Sequence, residues 1–214
     1  MRVHGILVMP GSLERSAVPR LVDHEARRRS IADAIFTLIG SQGLEAVSLR
    51  DVAAQAGVSM GAVQHYFKSK EQMLLFAVGH MRDRALARMQ QELAAIPEPT
   101  ARETIMAAAR VFLPVGEAGR EEAIVAGAFY VIATVNPVYA KPLREGYDRL
   151  LAVSKYNLRA AQQAGKLADG IDVDREAAML FFLVQGLIGP TLIGILSPAD
   201  ALDLIDHQLD RIFR

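Results

Sequence analysis

Apolar residues in this chain recur at spacings of three and four almost from end to end, and runs with strand character are scarce. That periodicity belongs to helices with one buried face, so the chain is predicted to be all-α. Around Ile31, Ile35, Leu38 and Ile39 the apolar positions fall at i, i+4, i+7 and i+8, after Arg27-Arg28-Arg29 and before a stop at Gly43. A second, short helix carries Leu49, Val52, Ala53 and Ala56. Ser48 and Asp51 are spaced to cap it as a box, and Gly57 ends it. A third short helix runs from about Ser59 to Phe67. Ser69 and Gln72 form a further capping pair, opening a long helix with Leu74, Val78, Met81, Ala85, Met89 and Leu93 on one face.

Pro97-Glu98-Pro99 is the clearest breaker. Beyond it Thr100 and Glu103 cap a helix to about Val115, and Gly116–Gly119 reads as a loop. Residues 123–135 form an apolar helix closed by Asn136-Pro137; a long helix to Gly165 follows, its start disturbed by Pro142. After a loop at Ala168–Asp172, the stretch Ala177–Leu196 holds 20 residues without a charge. That is long enough for a membrane span. Gly186, Gly189, Pro190 and Gly194 dilute its apolarity, however, and its acidic flanks lack an aromatic belt or basic anchor. A helix buried on all sides is the better account, and no membrane partner is expected. Ser197-Pro198 begins the last helix, with Leu202, Ile205, Leu209 and Ile212 on its apolar face.

Composition removes several function classes. The absence of cysteine excludes disulfide scaffolds, thiolate zinc sites and cysteine nucleophiles, and it fits a reducing cytoplasm. The apolar run Gly5–Met9 is too short for a secretory signal and is broken by Pro10-Gly11, so residues 1–22 read as a flexible arm. Five histidines are scattered, with no His-Glu-x-x-His or Glu-x-x-His pair, and no phosphate loop, dinucleotide fingerprint or nucleophile elbow occurs. No catalytic, metal or cofactor site is predicted. The zero net charge conceals a division: residues 1–90 carry 12 Lys/Arg against 8 Asp/Glu, and residues 91–214 carry 12 against 16. A basic first part points to a polyanion partner for that part alone.

Leu49–Phe67 is the informative segment. Two short helices joined at Gly57, with small Ala53 on the first and Val58 and Val63 turned to the core, match a helix-turn-helix. Glycine suits the turn because only it takes a left-handed backbone without penalty. Ser59, Met60, Gly61, Gln64 and His65 are small or uncharged, so the exposed face of the second helix can enter a groove without repelling phosphate. Gln64 can pair with the N6/N7 edge of adenine. Ser48, Arg50, Lys68 and Lys70 surround it as phosphate contacts, helped by free amides at the helix starts Ser48 and Ser69.

Ser48-Leu49-Arg50-Asp51-Val52-Ala53, Ala56-Gly57-Val58-Ser59 and His65-Tyr66-Phe67-Lys68-Ser69-Lys70-Glu71 together resemble the N-terminal domain of TetR-family transcriptional repressors. The resemblance covers about residues 24–75 specifically and extends loosely to Ser197-Pro198-Ala199-Asp200-Ala201. It departs at position 64, where the family's usual aromatic is glutamine. The resemblance implies an N-terminal three-helix DNA-binding domain, placed at residues 23–70. It also implies a C-terminal bundle for ligand binding and dimerisation at residues 71–214. By position, Tyr66 and Lys70 contact phosphate, while Arg50, Met60, Gly61 and Gln64 approach bases or their backbone; His65 is expected nearer the core. The implied partners are a double-stranded operator, a second copy of the chain and a small effector. Dimerisation is implied on the last two long helices, with Phe181, Gly186, Gly189, Leu192, Leu202, Ile205 and Leu209 as its candidates. That leaves the uncharged helix covered by its own bundle on one side and a partner on the other. Candidate effector-lining residues are Met81, Met89, Phe112, Phe129, Thr134, Tyr147, Phe182 and Gln185.

Two other readings compete. A constitutive DNA-binding protein has its C-terminal helices packed solid, and aromatics at helical spacing serve a core or a pocket equally well. A helical enzyme needs a metal or nucleophile constellation that no motif here supplies.

Overall fold

The computed structural model describes the backbone of residues 18–214 and the side chains of residues 24–214. Residues 1–17 of the predicted arm lie outside that range, and helix begins at Val18. Among the described residues the chain forms nine helices: α1 (Val18–Gln42), α2 (Leu49–Gln55), α3 (Met60–Tyr66), α4 (Lys70–Ala94), α5 (Ala101–Phe112), α6 (Gly116–Val135), α7 (Pro137–Gln163), α8 (Val173–Leu192) and α9 (Pro198–Ile212). The fold is all-α, with a helix-turn-helix unit followed by a C-terminal helical domain.

Local chemistry sets most of the boundaries. Ser48, Thr100 and Ser197 each cap a helix as a full box, with Asp51, Glu103 and Asp200 returning a carboxylate to the cap N–H. Ser69 caps α4 in part only. Its Oγ accepts the Gln72 N–H at 3.1 Å, but the Gln72 amide oxygen takes the Lys68 N–H at 2.7 Å, so the predicted box is not closed. Asn136 caps α7 with Pro137 in the first turn, and Pro142 sits further inside without ending the helix. Gly116–Gly119, expected as a loop, is the first turn of α6. Glu121 and Glu122 on this extension pair with arginines of α4, and that tertiary contact outweighs the glycines' low helix propensity.

Two apolar clusters hold the molecule together. The first joins Ile31, Ile35, Phe36 and Ile39 of α1 to Val52, Val63, Phe67, Leu74 and Val78, and continues into Val125 and Phe129 of α6 and Tyr139 of α7. The core of the helix-turn-helix unit is therefore shared with the C-terminal helices. The second cluster packs Ile105, Met106 and Ala109 of α5 and Leu158 of α7 against Ala177, Leu180 and Leu187 of α8 and Ile205, Leu209 and Ile212 of α9.

Enclosure of α8 on all sides, expected from its lack of charge, does not occur within one chain. One face packs in the second cluster, while Met179, Phe182, Gly186, Gly189 and Ile193 form an exposed stripe at alternating steps of three and four. No helix among the described residues is long and apolar enough to cross a membrane.

Candidate DNA-binding face and C-terminal apolar surface

The turn between α2 and α3 is built from backbone hydrogen bonds. The Val58 N–H donates to the Ala53 carbonyl at 3.0 Å and the Gly57 N–H to the Ala54 carbonyl at 3.2 Å, with Gly57 at φ +64°. Val52, Ala53 and Val63 are buried beneath it and fix the angle at which α3 leaves. The Ser59 hydroxyl accepts the Ala62 N–H at 3.1 Å and starts α3. These contacts leave Met60, Gly61 and Gln64 exposed on one surface of α3, with no charge among them.

Basic groups surround that surface. Arg50 and Lys68 are exposed, and Lys70 is half-buried, its ammonium donating to the Glu45 carbonyl at 3.0 Å. That bond uses one of three ammonium hydrogens. Lys68 donates to the Gln64 carbonyl at 3.3 Å, which holds it beside α3. Ser48 caps α2 as its spacing from Asp51 predicts. Its hydroxyl donates to the Asp51 carboxylate at 2.5 Å, so its only proton serves the cap.

His65, expected nearer the core, is exposed. Its ring lies edge-on to Tyr66 at 5.4 Å, and His24 of α1 lies edge-on to Tyr66 at 4.4 Å, so α1 braces the end of α3. No sequence spacing signals the His24 contact. Among the basic triplet, Arg28 lies over the Phe76 ring at 4.4 Å, while Arg27 and Arg29 are exposed.

The C-terminal candidates divide between several places. Phe129 is fully buried in the first cluster beside Tyr139, and Met81 packs against the same cluster. This puts Phe129 in the core shared by the helix-turn-helix unit and α6. Thr134 is exposed, its hydroxyl donating to the Val131 carbonyl at 2.7 Å. Met89, Phe112 and Gln185 are half-buried. Tyr147, Phe181 and Phe182 are brought together edge-on, at 5.4 Å and 5.2 Å between successive rings. Burial, and then neighbouring Tyr130, pushes the Tyr147 hydroxyl above the ordinary tyrosine range, so it stays a neutral donor.

The interface candidates divide as well. Gly186 and Gly189 are exposed, and a Cβ added at either meets nothing within 4 Å; Phe182, read from the sequence as an effector-lining residue, stands beside them 66% exposed. Phe181, Leu192 and Leu202 are half-buried. Ile205 and Leu209 are fully buried in the chain's own second cluster, so neither offers surface to a partner; the large exposed apolar residue of α9 is Leu204. An amphipathic helix shows which residues need cover without showing which chain supplies it.

Residues 31–76 match the model of bacterial regulatory proteins of the tetR family, and residues 101–214 match that of the BetI-type transcriptional repressor C-terminal region. The chain belongs to the TetR family. Among its curated relatives, the HTH-type transcriptional regulator BetI of Rhizobium meliloti is 33% identical over 72% of this chain and 76% of its own length. The HTH-type transcriptional regulator PksA of Bacillus subtilis is 28% identical, over 79% of this chain and 80% of its own length. A transcriptional regulator of Saccharomonospora viridis, solved in complex with choline, is 27% identical and superposes with a TM-score of 0.79 over 89% of this chain and 98% of its own. As a TetR-family protein the chain is a DNA-binding transcription regulator of repressor type, and not an enzyme.

Proposed function

We propose that this TetR-family protein is a homodimeric, cytoplasmic repressor that grips a palindromic operator and lets go of it when a small, mostly apolar effector binds. The exposed stripe Met179–Phe182–Gly186–Gly189–Ile193 is the observation that supports it best. A contiguous apolar face of this kind marks a protein interface, and two glycines on it permit close backbone approach. A second copy docked there places two α3 helices on one duplex, which calls for half-sites about 34–36 Å apart. Phe182→Glu puts a charge in the middle of the stripe. Sedimentation velocity is expected to give a monomer for this variant and a dimer for the parent; a dimeric variant places the interface elsewhere.

On DNA, the uncharged α3 surface enters the major groove and the flanking cations hold the backbone. Lys70→Ala is expected to weaken binding to every sequence and to lower the salt slope by about 1, as one phosphate contact is lost. Gln64→Ala is expected to change which base is preferred, at about 1–3 kcal/mol, with the salt slope kept. Equal, sequence-blind losses for both variants, read by gel shift over a salt series, contradict this orientation of α3.

The edge-on group of Tyr147, Phe181 and Phe182 supports the ligand half of the proposal, offering aromatic surface with the Tyr147 hydroxyl as a polar handle. The relative solved with choline makes a quaternary ammonium the first compound to test, because aromatic rings hold such cations by their π-faces. A compound that raises the melting temperature and releases DNA is expected to bind more weakly, by the same factor, when operator is saturating.

A further inference from the structure

His80, Arg84 and Arg88 stand four residues apart on α4 and form one ladder of basic side chains. His80 Nε2 lies 2.9 Å from Asp33 Oδ1 of α1. Arg88 pairs with Glu122 of α6 and donates to the Val111 carbonyl at the end of α5 at 2.7 Å. Arg84, between them, reaches in both directions. Its guanidinium donates to Glu122 at 3.0 Å and Glu121 at 3.3 Å on α6, lies 3.5 Å from Asp33 on α1, and sits 5.0 Å over the Phe36 ring of α1. The planar fork thus meets two carboxylates of the C-terminal domain and one carboxylate and one ring of the helix-turn-helix unit.

We infer that Arg84 is a positioning residue which fixes the pose of the DNA-binding unit on the C-terminal body, and so sets the half-site spacing that the protein accepts. The apolar contact between α1 and α6 holds the two parts together but is non-directional. A guanidinium fork is directional, and its five donors fix an angle that a sliding apolar surface does not. Asp33 and Glu121 are partly exposed at 58% and 32%, so each pair taken singly adds little to stability. Geometry is what the network supplies. The inference rests on the two-fold operator reading above.

The test uses the full-length protein and a set of duplexes carrying two recovered half-sites with spacers shortened or lengthened by single base pairs. The parent is expected to lose about tenfold in affinity for each base pair of spacer change. Arg84→Met keeps the stem over Phe36 and removes the fork; it is expected to cut that penalty to about threefold while affinity for a single half-site stays unchanged. Asp33→Asn and Glu121→Gln, each removing one anchor from a surface position, are expected to relax the spacing in the same way. Because they act through one fork, combining Asp33→Asn with Arg84→Met is expected to relax it no further. These two surface variants answer the question even if Arg84→Met fails to fold. A parent with sharp spacing preference and variants equally sharp overturns the inference alone. A parent indifferent to spacing overturns both the inference and the two-fold reading.

Discussion

Gly57→Val lowers operator affinity by about thirtyfold or more while the chain stays folded and dimeric. The backbone at Gly57 is left-handed, at φ +64°. That region costs an ordinary L-residue roughly 1–2 kcal/mol, and a β-branched one more; about 2 kcal/mol corresponds to roughly thirtyfold in binding. A Cβ at this position meets nothing within 4 Å, so the penalty comes from the backbone and not from a clash. Strain of that kind relaxes by re-angling α3, which the Val58 N–H bond to Ala53 otherwise holds. The α8 stripe proposed as the interface lies in the C-terminal domain, away from the turn, so the oligomeric state of the parent is expected to persist. Gly57→Asn is the control, because asparagine tolerates the left-handed region and is expected to retain most of the affinity. Gel shift and sedimentation of both variants check the pair; full affinity in the valine variant removes the turn from the account.

Glu122→Ala is the most destabilising change expected outside the apolar clusters. Glu122 is one of few buried ionisable side chains among the described residues, and its carboxylate holds Arg84 and Arg88 together. Removing one member of a buried pair leaves the others uncompensated, at a cost of about 3–5 kcal/mol. Both arginines keep about a quarter of their side chains exposed and regain some hydration, so the lower end applies, about 3 kcal/mol. In a chain of this size that is a fall of roughly 10 °C in melting temperature. Glu121→Ala, at a more exposed position, is expected to cost less than about 1 kcal/mol. Calorimetry on the two variants separates them, and equal losses contradict the burial argument.

What the sequence discloses here is what short-range chemistry controls. The helices, the three full capping boxes and the Gly57 turn follow from residues no more than four apart. The α3 face is legible for the same reason: Val63 is apolar and turns to the core, while Met60, Gly61 and Gln64 are uncharged and stay exposed. Legibility fails where the partner is distant in the chain. Asp33, Arg84 and Glu122 converge from three helices, and nothing in the local pattern of any one of them announces the other two. His65 and His24 meet through Tyr66 in the same way. Gly116–Gly119 reads as a loop until Glu121 and Glu122 find their arginines. The stripes of α8 and α9 look alike as patterns, yet Ile205 and Leu209 are covered by their own chain and Phe182 is not. Only the packing distinguishes an internal face from one left exposed.

The central claim is that two copies of this chain read one symmetric site. Selection of bound duplexes from a random pool by the full-length protein tests it most directly, with the stoichiometry of the recovered complex measured alongside. The expected result is an inverted repeat with half-sites about one helical turn apart, or a small multiple of it, bound by an even number of chains. Recovery of a single asymmetric site bound by one chain, or of no preferred sequence at all, contradicts it.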